Sequence, residues 1–302
     1  MPDKIFTHVP GMKIASEVPV LNADELSESV FHGEYVAHSR PCLIRGAVKH
    51  WPAVQKWRDA DYLKNRSGQT GVYLYQSVNH ITARRLKPKE RVCSFAEALD
   101  YLNAADTKLG IVSTELLKEL LPDLGDIRFL GKTEPSFWYT AARYFLYRNA
   151  GTSWHYHPFD ETLTCQLIGR KKIGLVSSDP PFDQELCSIF FDEDYYENPA
   201  VFDGFDCSKL KWLSATLEEG DALYIPPLWW HGVVPQTQSF GATAAITWRS
   251  PLPVIAKCIN KLAYDDVYML GKTGAPGFQA LLETARKLGL ERELKIAWDR
   301  GV

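Results

Sequence analysis

The stretch from Ala142 to Trp248 constrains the fold more than any other part of the chain, because it divides into short apolar segments separated by turn residues. Strands are predicted over residues 142–148, 154–157, 163–168, 172–176, 213–217, 222–225, 232–234 and 242–248. Each is too short to bury much surface alone, so the set needs a second layer for its inward faces and a way of hiding its edges. Sandwiches, barrels and jelly rolls meet both demands. The expected fold class is mainly β with flanking helices.

The preceding residues read as mixed α/β without a repeat. Asn22 or Asp24 can cap a helix running to about His38, Pro41 to Gly46 reads as a strand, and Trp51-Pro52-Ala53 as a turn. A short helix near residues 61–64 and a strand over 72–76 follow. Ser94 and Glu97 have capping-box spacing for a helix through Leu102, and Ser113 or Thr114 caps another that ends before Pro122. Residues 177–211 form a polar and aromatic insertion, read as a solvated loop. After Pro251, Val254, Ile255, Cys258, Ile259 and Leu262 share one helical face, and Leu281, Leu282, Ala285 and Leu288 another beyond a break at 271–277. The expected division is a domain over 1–250 and a helical extension over 251–302 that packs on the barrel or forms a homodimer interface.

Of the eight histidines, three stand at ligand spacing. Side chains in a strand alternate faces, so His155 and His157 project to the same side and can grip one ion. Far along the chain, a tight turn at Glu218 to Asp221, a short apolar strand and Pro226-Pro227 deliver Trp230 and His231 onto another strand. Three ligands on one side of a metal leave positions open for O₂ and substrate, as on non-haem iron; three imidazoles plus water is also a zinc ligand set. His8, His32, His38, His50 and His80 lack such partners and are read as structural. Tyr144, Trp154, Tyr156 and Trp230 either line the pocket or pack the core. No catalytic residue is assigned beyond the metal site.

Composition narrows the partners. The 302 residues are 45% hydrophobic, enough for a packed core, and the net charge of -3 argues against a general grip on nucleic acid or an anionic membrane. The first ten residues carry no secretory pattern, and no run reaches the roughly 18 apolar residues of a membrane span. A cytoplasmic protein with a small-molecule or protein substrate is expected. The six cysteines are scattered, without Cys-x-x-Cys, and are expected to be buried thiols.

Taken together, Arg40 to Gly46, Trp51-Pro52-Ala53, Trp57, Gly151 to Tyr156, Gly169-Arg170-Lys171 and Gly220 to His231 resemble the JmjC-type, cupin-fold Fe(II)/2-oxoglutarate dioxygenases. The resemblance is particularly to the small hydroxylases related to the asparaginyl hydroxylase of hypoxia-inducible factor. The resemblance implies a double-stranded β-helix, Fe(II) and 2-oxoglutarate as cofactors, and a hydroxylation coupled to oxoglutarate decarboxylation. It maps His155 and His231 onto iron ligands, Lys171 onto the lysine that pairs with the distal carboxylate of the cosubstrate, and Thr152 onto an assisting hydroxyl. Glu161 and Ile246 stand where related enzymes have asparagines around that pocket, and Asp160 or Glu161 could act as a partner of the ligands. His157 replaces the family's aspartate, leaving the site one unit more positive. Two other readings follow from that departure: a three-histidine oxygenase that works without oxoglutarate, and a catalytically silent metal-binding or interaction module.

Overall fold

The structure is a computed structural model that describes residues 3–76, 90–115, 117–136, 142–157, 159–177, 183–192, 194–196, 198–252, 254, 283 and 285–290. In chain order the strands are β1 (Ser16–Glu17), β2 (Val20–Asn22), β3 (Cys42–Arg45), β4 (Gly71–Tyr75), β5 (Glu90–Ser94), β6 (Gly110–Thr114) and β7 (Arg143–Arg148). There follow β8 (Thr152–His155), β9 (Asp160–Ile168), β10 (Lys171–Ser177), β11 (Trp212–Leu217), β12 (Ala222–Ile225), β13 (Trp229–Pro235) and β14 (Gly241–Arg249).

They form a 9-stranded sheet, β2-β3-β12-β9-β14-β7-β6-β4-β5, and a 5-stranded sheet, β1-β11-β10-β13-β8. From β7 to β14 the chain visits the sheets in the order large, small, large, small, small, large, small, large. That alternation winds two four-stranded layers around a shared interior and produces the jelly roll, or double-stranded β-helix. All eight core strands coincide with predicted segments, with ends shifted by up to three residues.

Each sheet has two faces because side chains alternate, and cross-strand partners share a face. Between the sheets, Leu43, Ile173, Leu175, Leu213, Ala215, Leu217, Leu223 and Ile225 form a closed apolar plug. The back of the large sheet is covered by the helices Pro52–Lys56, Ala60–Ser67 and Phe95–Asn103, which bury Trp57, Leu63, Leu99 and Leu102 against Leu146, Leu163 and Ala244. Ser94 closes both bonds of the capping box with Glu97, and Asp59 caps the helix before it. The turn at residues 218–221 is stabilised by Asp221, whose carboxylate accepts from the backbone of Gly46 and Glu218 at 3.0 Å each and pairs with Arg45. Gly220 there has φ +88°, a conformation side chains resist.

Several expectations are corrected. The segment read as a helix from Asn22 to His38 begins as β2 and becomes helical only after Ser27, whose side chain caps Glu28–Val30; a π-helical turn, Phe31–Val36, continues it and buries Phe31 and Val36. Ser113 and Thr114 end strand β6 instead of capping a helix, because Val112 and Thr114 pair with Leu146 and Tyr144 of β7. Pro52 opens a helix where a turn was expected, its missing N–H costing nothing at the first position. The insertion at 177–211 is no solvated loop. Its helix Asp183–Asp192 and the short turns after it press Leu186, Phe190, Tyr195 and Phe202 onto Trp154, Trp212 and Trp230 on the outer face of the small sheet.

Cys42, Cys93, Cys165 and Cys207 are free and buried, as expected. The two helices predicted beyond Pro251, with their role as a dimer interface, lie outside the described residues except at 252, 254, 283 and 285–287. Among the described residues no helix is long and apolar enough to cross a membrane.

Phe190 stacks on Trp154 with ring centroids 5.0 Å apart and planes 7° from parallel. Phe190→Ala is expected to lower the unfolding free energy by about 3–5 kcal/mol in denaturant titrations, the usual range for a buried aromatic. A loss below about 1 kcal/mol would mean that the insertion is only loosely attached.

Candidate metal centre

His155, His157 and His231 converge, with one ring nitrogen of each within 4.8 Å of the others, the only such group of three metal-ligating side chains among the described residues. His155 and His231 are direct cross-strand partners on β8 and β13, which brings their ring centroids to 4.1 Å. His157 lies just past the end of β8, so the strand alternation expected to aim it does not reach that far. Its position is fixed by other contacts. The backbone N–H of Leu228 donates to the His157 carbonyl at 2.8 Å, and Leu228 takes φ +60° in the Pro-Pro turn before β13. A left-handed leucine costs free energy, so the surrounding structure holds this turn in place.

Each imidazole is oriented through Nδ1: His155 faces the Ser153 carbonyl at 2.9 Å, His231 the Trp229 carbonyl at 2.9 Å, and His157 the Thr162 hydroxyl at 2.8 Å. Nε2 of each ring is thereby left for a metal, the tautomer that such partners favour in metal sites. Burial pushes the His155 pKa down to about 4 and those of His157 and His231 well below 6.5, so all three are neutral and ready to bind a cation without first losing a proton. The residues present fit a divalent transition metal.

The floor beside this cluster belongs to β9 and β14. Thr162, Thr164 and Gln166 share the inner face of β9, opposite Thr247, Ala245 and Thr243 of β14. Lys171 enters from β10 and is buried, its Nζ donating to the hydroxyls of Thr164 at 2.9 Å and Thr243 at 3.2 Å. The Thr243 hydroxyl in turn lies 3.0 Å from Oε1 of Gln166, whose amide donates to the Tyr147 hydroxyl at 2.9 Å. Burial lowers the Lys171 pKa to about 7. Lys171 is therefore no snorkelling turn residue. Thr162 serves His157 and Thr164 serves Lys171, two residues or about 7 Å apart along one strand face.

Most of the other residues proposed from sequence fall elsewhere. Glu161 and Ile246 point to the back of the large sheet, paired across it with Trp248 and Leu163. There the Tyr224 hydroxyl donates to Glu161 at 2.6 Å, and burial raises the Glu161 pKa to about 8, so it brings no negative charge to the interior. Tyr144 is buried on the same back face against Trp57. Trp154 and Trp230 flank the ligand histidines in sequence and so face outward, where they pack under the 183–205 segment. Thr152 is buried opposite Val233, on the His231 face, because a bulge shifts the β8 register between Val233 and His231. Asp160 accepts from Ser136 at 2.5 Å at the start of β9. His8, His32 and His50 each reach a backbone carbonyl, as expected of structural histidines. Sequence reasoning missed Thr162, Thr164 and Thr243, and also Arg143. The signal for Thr162 and Thr164 was their period-two spacing in β9, legible only once the strand's phase is known.

The chain was compared with known proteins. The cupin-like domain family matches residues 27–251, a span that holds the three histidines and Lys171. The chain is 25% identical over 252 residues to Jumonji C domain-containing protein 5 of Drosophila melanogaster, covering 75% of this chain and 59% of that protein. It is 28% identical over 262 residues to the bifunctional peptidase and (3S)-lysyl hydroxylase JMJD7 of Homo sapiens (72% and 79% covered), and 25% identical over 274 residues to tRNA wybutosine-synthesizing protein 5 of Gallus gallus (82% and 80%). It thus spans little more than half the length of the Drosophila relative. With the family match covering most of its length and its strands wound as a jelly roll around the histidine cluster, the chain belongs to the cupin-like JmjC family.

Proposed function

We propose that this chain is an Fe(II)-dependent oxygenase that uses O₂ and 2-oxoglutarate to oxidise a C–H bond of a small-molecule or protein substrate. Iron and oxoglutarate are the cofactors of JmjC family members, and the hydroxylase JMJD7 is among the relatives. The observation that carries the reading is Lys171, a buried amine held among the described residues by two threonine hydroxyls beside three neutral histidines. A buried ammonium without a counter-ion is costly, and a carboxylate arriving at Thr164 and Thr243 would supply one.

The protein's own residues then divide the work. His155, His157 and His231 would hold the metal, and their Nδ1 contacts keep each Nε2 aimed inward. Thr164 and Thr243 steer Lys171 toward the distal carboxylate of the cosubstrate, with Thr152 on the His231 face of the pocket as the assisting hydroxyl. The apolar plug between the sheets excludes water beneath them. Iron with oxoglutarate would supply the oxidising power, oxoglutarate being decarboxylated as the substrate is hydroxylated.

One observation favours a second reading. Thr162 holds His157 as a neutral ligand, so the site is built around three imidazoles, which suits an oxygenase whose substrate itself binds iron in place of oxoglutarate. O₂ consumption by the iron-loaded protein with and without oxoglutarate separates the two, and consumption under neither condition would favour a silent binding module.

His155→Ala and His231→Ala are each expected to abolish stoichiometric Fe(II) binding while thermal unfolding stays cooperative, since the apolar core does not need the metal. Full iron occupancy in the double variant would remove the metal assignment. Lys171→Ala should weaken anaerobic oxoglutarate binding by about 2–5 kcal/mol, the range for losing one partner of a desolvated ion pair. Because burial sets the Lys171 pKa to about 7, the cation is present below that pH and lost above it, so affinity should fall as pH rises from 7 to 9. Lys171→Arg does not titrate there and should flatten the profile. A wild-type profile as flat as the arginine variant's would contradict the role given to Lys171. His157→Asp should still bind Fe(II) but consume oxoglutarate with less product, because Thr162 is placed for an imidazole and a carboxylate is shorter. Native product formation in that variant would make His157 an interchangeable ligand.

A further inference from the structure

Arg143 is a second cation at the centre that the oxoglutarate reading does not use. It opens β7 on the interior face, opposite Ala245 of β14, and Ala245 is in turn opposite Thr164 of β9. The row Arg143, Ala245, Thr164 therefore crosses the floor of the pocket, with Lys171 bound at its far end. The middle residue is an alanine, so no long side chain stands between the two cations in that row. Nε of Arg143 donates to Ser113 Oγ at 3.0 Å, and its guanidinium lies over the Phe145 ring at 5.2 Å. These contacts set the plane of the fork.

The two cations reach the interior from different sheets, Arg143 from β7 of the large one and Lys171 from β10 of the small one. The charge of Arg143 bears on His155 and His157, and that of Lys171 on His231. One dicarboxylate spanning the metal and Lys171 leaves the Arg143 side of the metal for the molecule to be oxidised. The ligand set there carries no negative charge of its own, since a histidine stands where the family has an aspartate.

Resting on the oxygenase reading above, we propose that Arg143 anchors a carboxylate of the primary substrate, so that the molecule oxidised is an organic acid or an acidic side chain. A planar guanidinium meets a carboxylate through paired hydrogen bonds, and an amide of the same shape cannot replace that charge. Ser113 and Phe145 are positioning residues for the fork, and Ala245 gives the substrate its room.

The test uses the full chain loaded with Fe(II) and 2-oxoglutarate without O₂, and reads the iron absorption spectrum. The probes are matched pairs: aspartate against asparagine, glutamate against glutamine, and the peptides Gly-Asp-Gly against Gly-Asn-Gly. At least one acid should perturb the spectrum where its amide does not. A response to free acids alone identifies a small-molecule substrate, and a response to the peptide identifies an acidic side chain. Arg143→Gln should weaken the acid response about tenfold or more, and Arg143→Lys should restore part of it. Oxoglutarate affinity, measured separately, should change less than about threefold in Arg143→Gln while Lys171→Ala loses it. Equal responses to acids and amides, no response to any acid at millimolar concentration, or an acid response unchanged in both Arg143 variants would overturn the proposal. An oxoglutarate loss in Arg143→Gln matching that of Lys171→Ala would also overturn it, by placing Arg143 in the cosubstrate site. If the parent protein binds no oxoglutarate, the oxoglutarate-dependent reading fails first, and the acid pairs run without oxoglutarate still decide the role of Arg143.

Discussion

The pairing of β8 with β13 is the constraint on which the rest of the centre depends. It sets His155 directly opposite His231 across two strands whose sequences lie far apart, and it does so with backbone hydrogen bonds that no side-chain substitution at the site removes. From that fixed pair the other components follow by strand geometry. His157 is reached by one further step of chain and clamped by Leu228, the β9 floor lies across the interior, and Lys171 enters from the strand on the other side of β13. A metal centre built in this way inherits its rigidity from two sheets, which is what imidazole ligands need to stay within bonding range of one ion.

Much of this was legible in the sequence, for a physical reason. The eight core strands alternate apolar and polar residues or are apolar throughout, and turn residues punctuate them, so their existence follows from local pattern. The histidines stood out because their spacing suits one ion, and Lys171 because the resemblance to the JmjC-type enzymes maps it onto the lysine that pairs with the cosubstrate. The facing of single residues was harder. In a strand, a phase error of one residue exchanges the two faces, and that is the whole difference between Glu161, which lies behind the sheet with Tyr224, and Thr162, which bonds His157. For Trp154 and Trp230, of which pocket lining and packing were both expected, the structure shows packing for the same reason: an aromatic next to a ligand in sequence is on the opposite side of the sheet from it.

The 183–205 segment, and the π form of the helix expected to run to about His38, were illegible for a different reason. Their short helical pieces carry too few residues to show a period, and their order comes from partners far away, Trp154 and Trp230 for the first and Phe129, Tyr224 and Trp248 for Phe31 of the second. Tertiary packing decides such pieces, and a single sequence does not display it. The result is a small sheet covered on its outer side by a layer that the sequence disguises as a polar loop.

The place of β8 in its sheet has a kinetic meaning. It is the last strand of the five, with β13 as its one strand partner among the described residues, and it is only four residues long. An edge strand frays more readily than the strands behind it, since its far side has no neighbouring strand to unzip; here the Trp154 N–H instead reaches the Tyr195 hydroxyl at 3.2 Å. Two of the three ligands sit at or just beyond its end. A bound ion would therefore act as a rivet through the sheet's loose margin, tying β8 to β13 where backbone bonding runs out. Exchange of the ion would be timed by the opening of that margin and would leave the β9 floor and the apolar plug undisturbed.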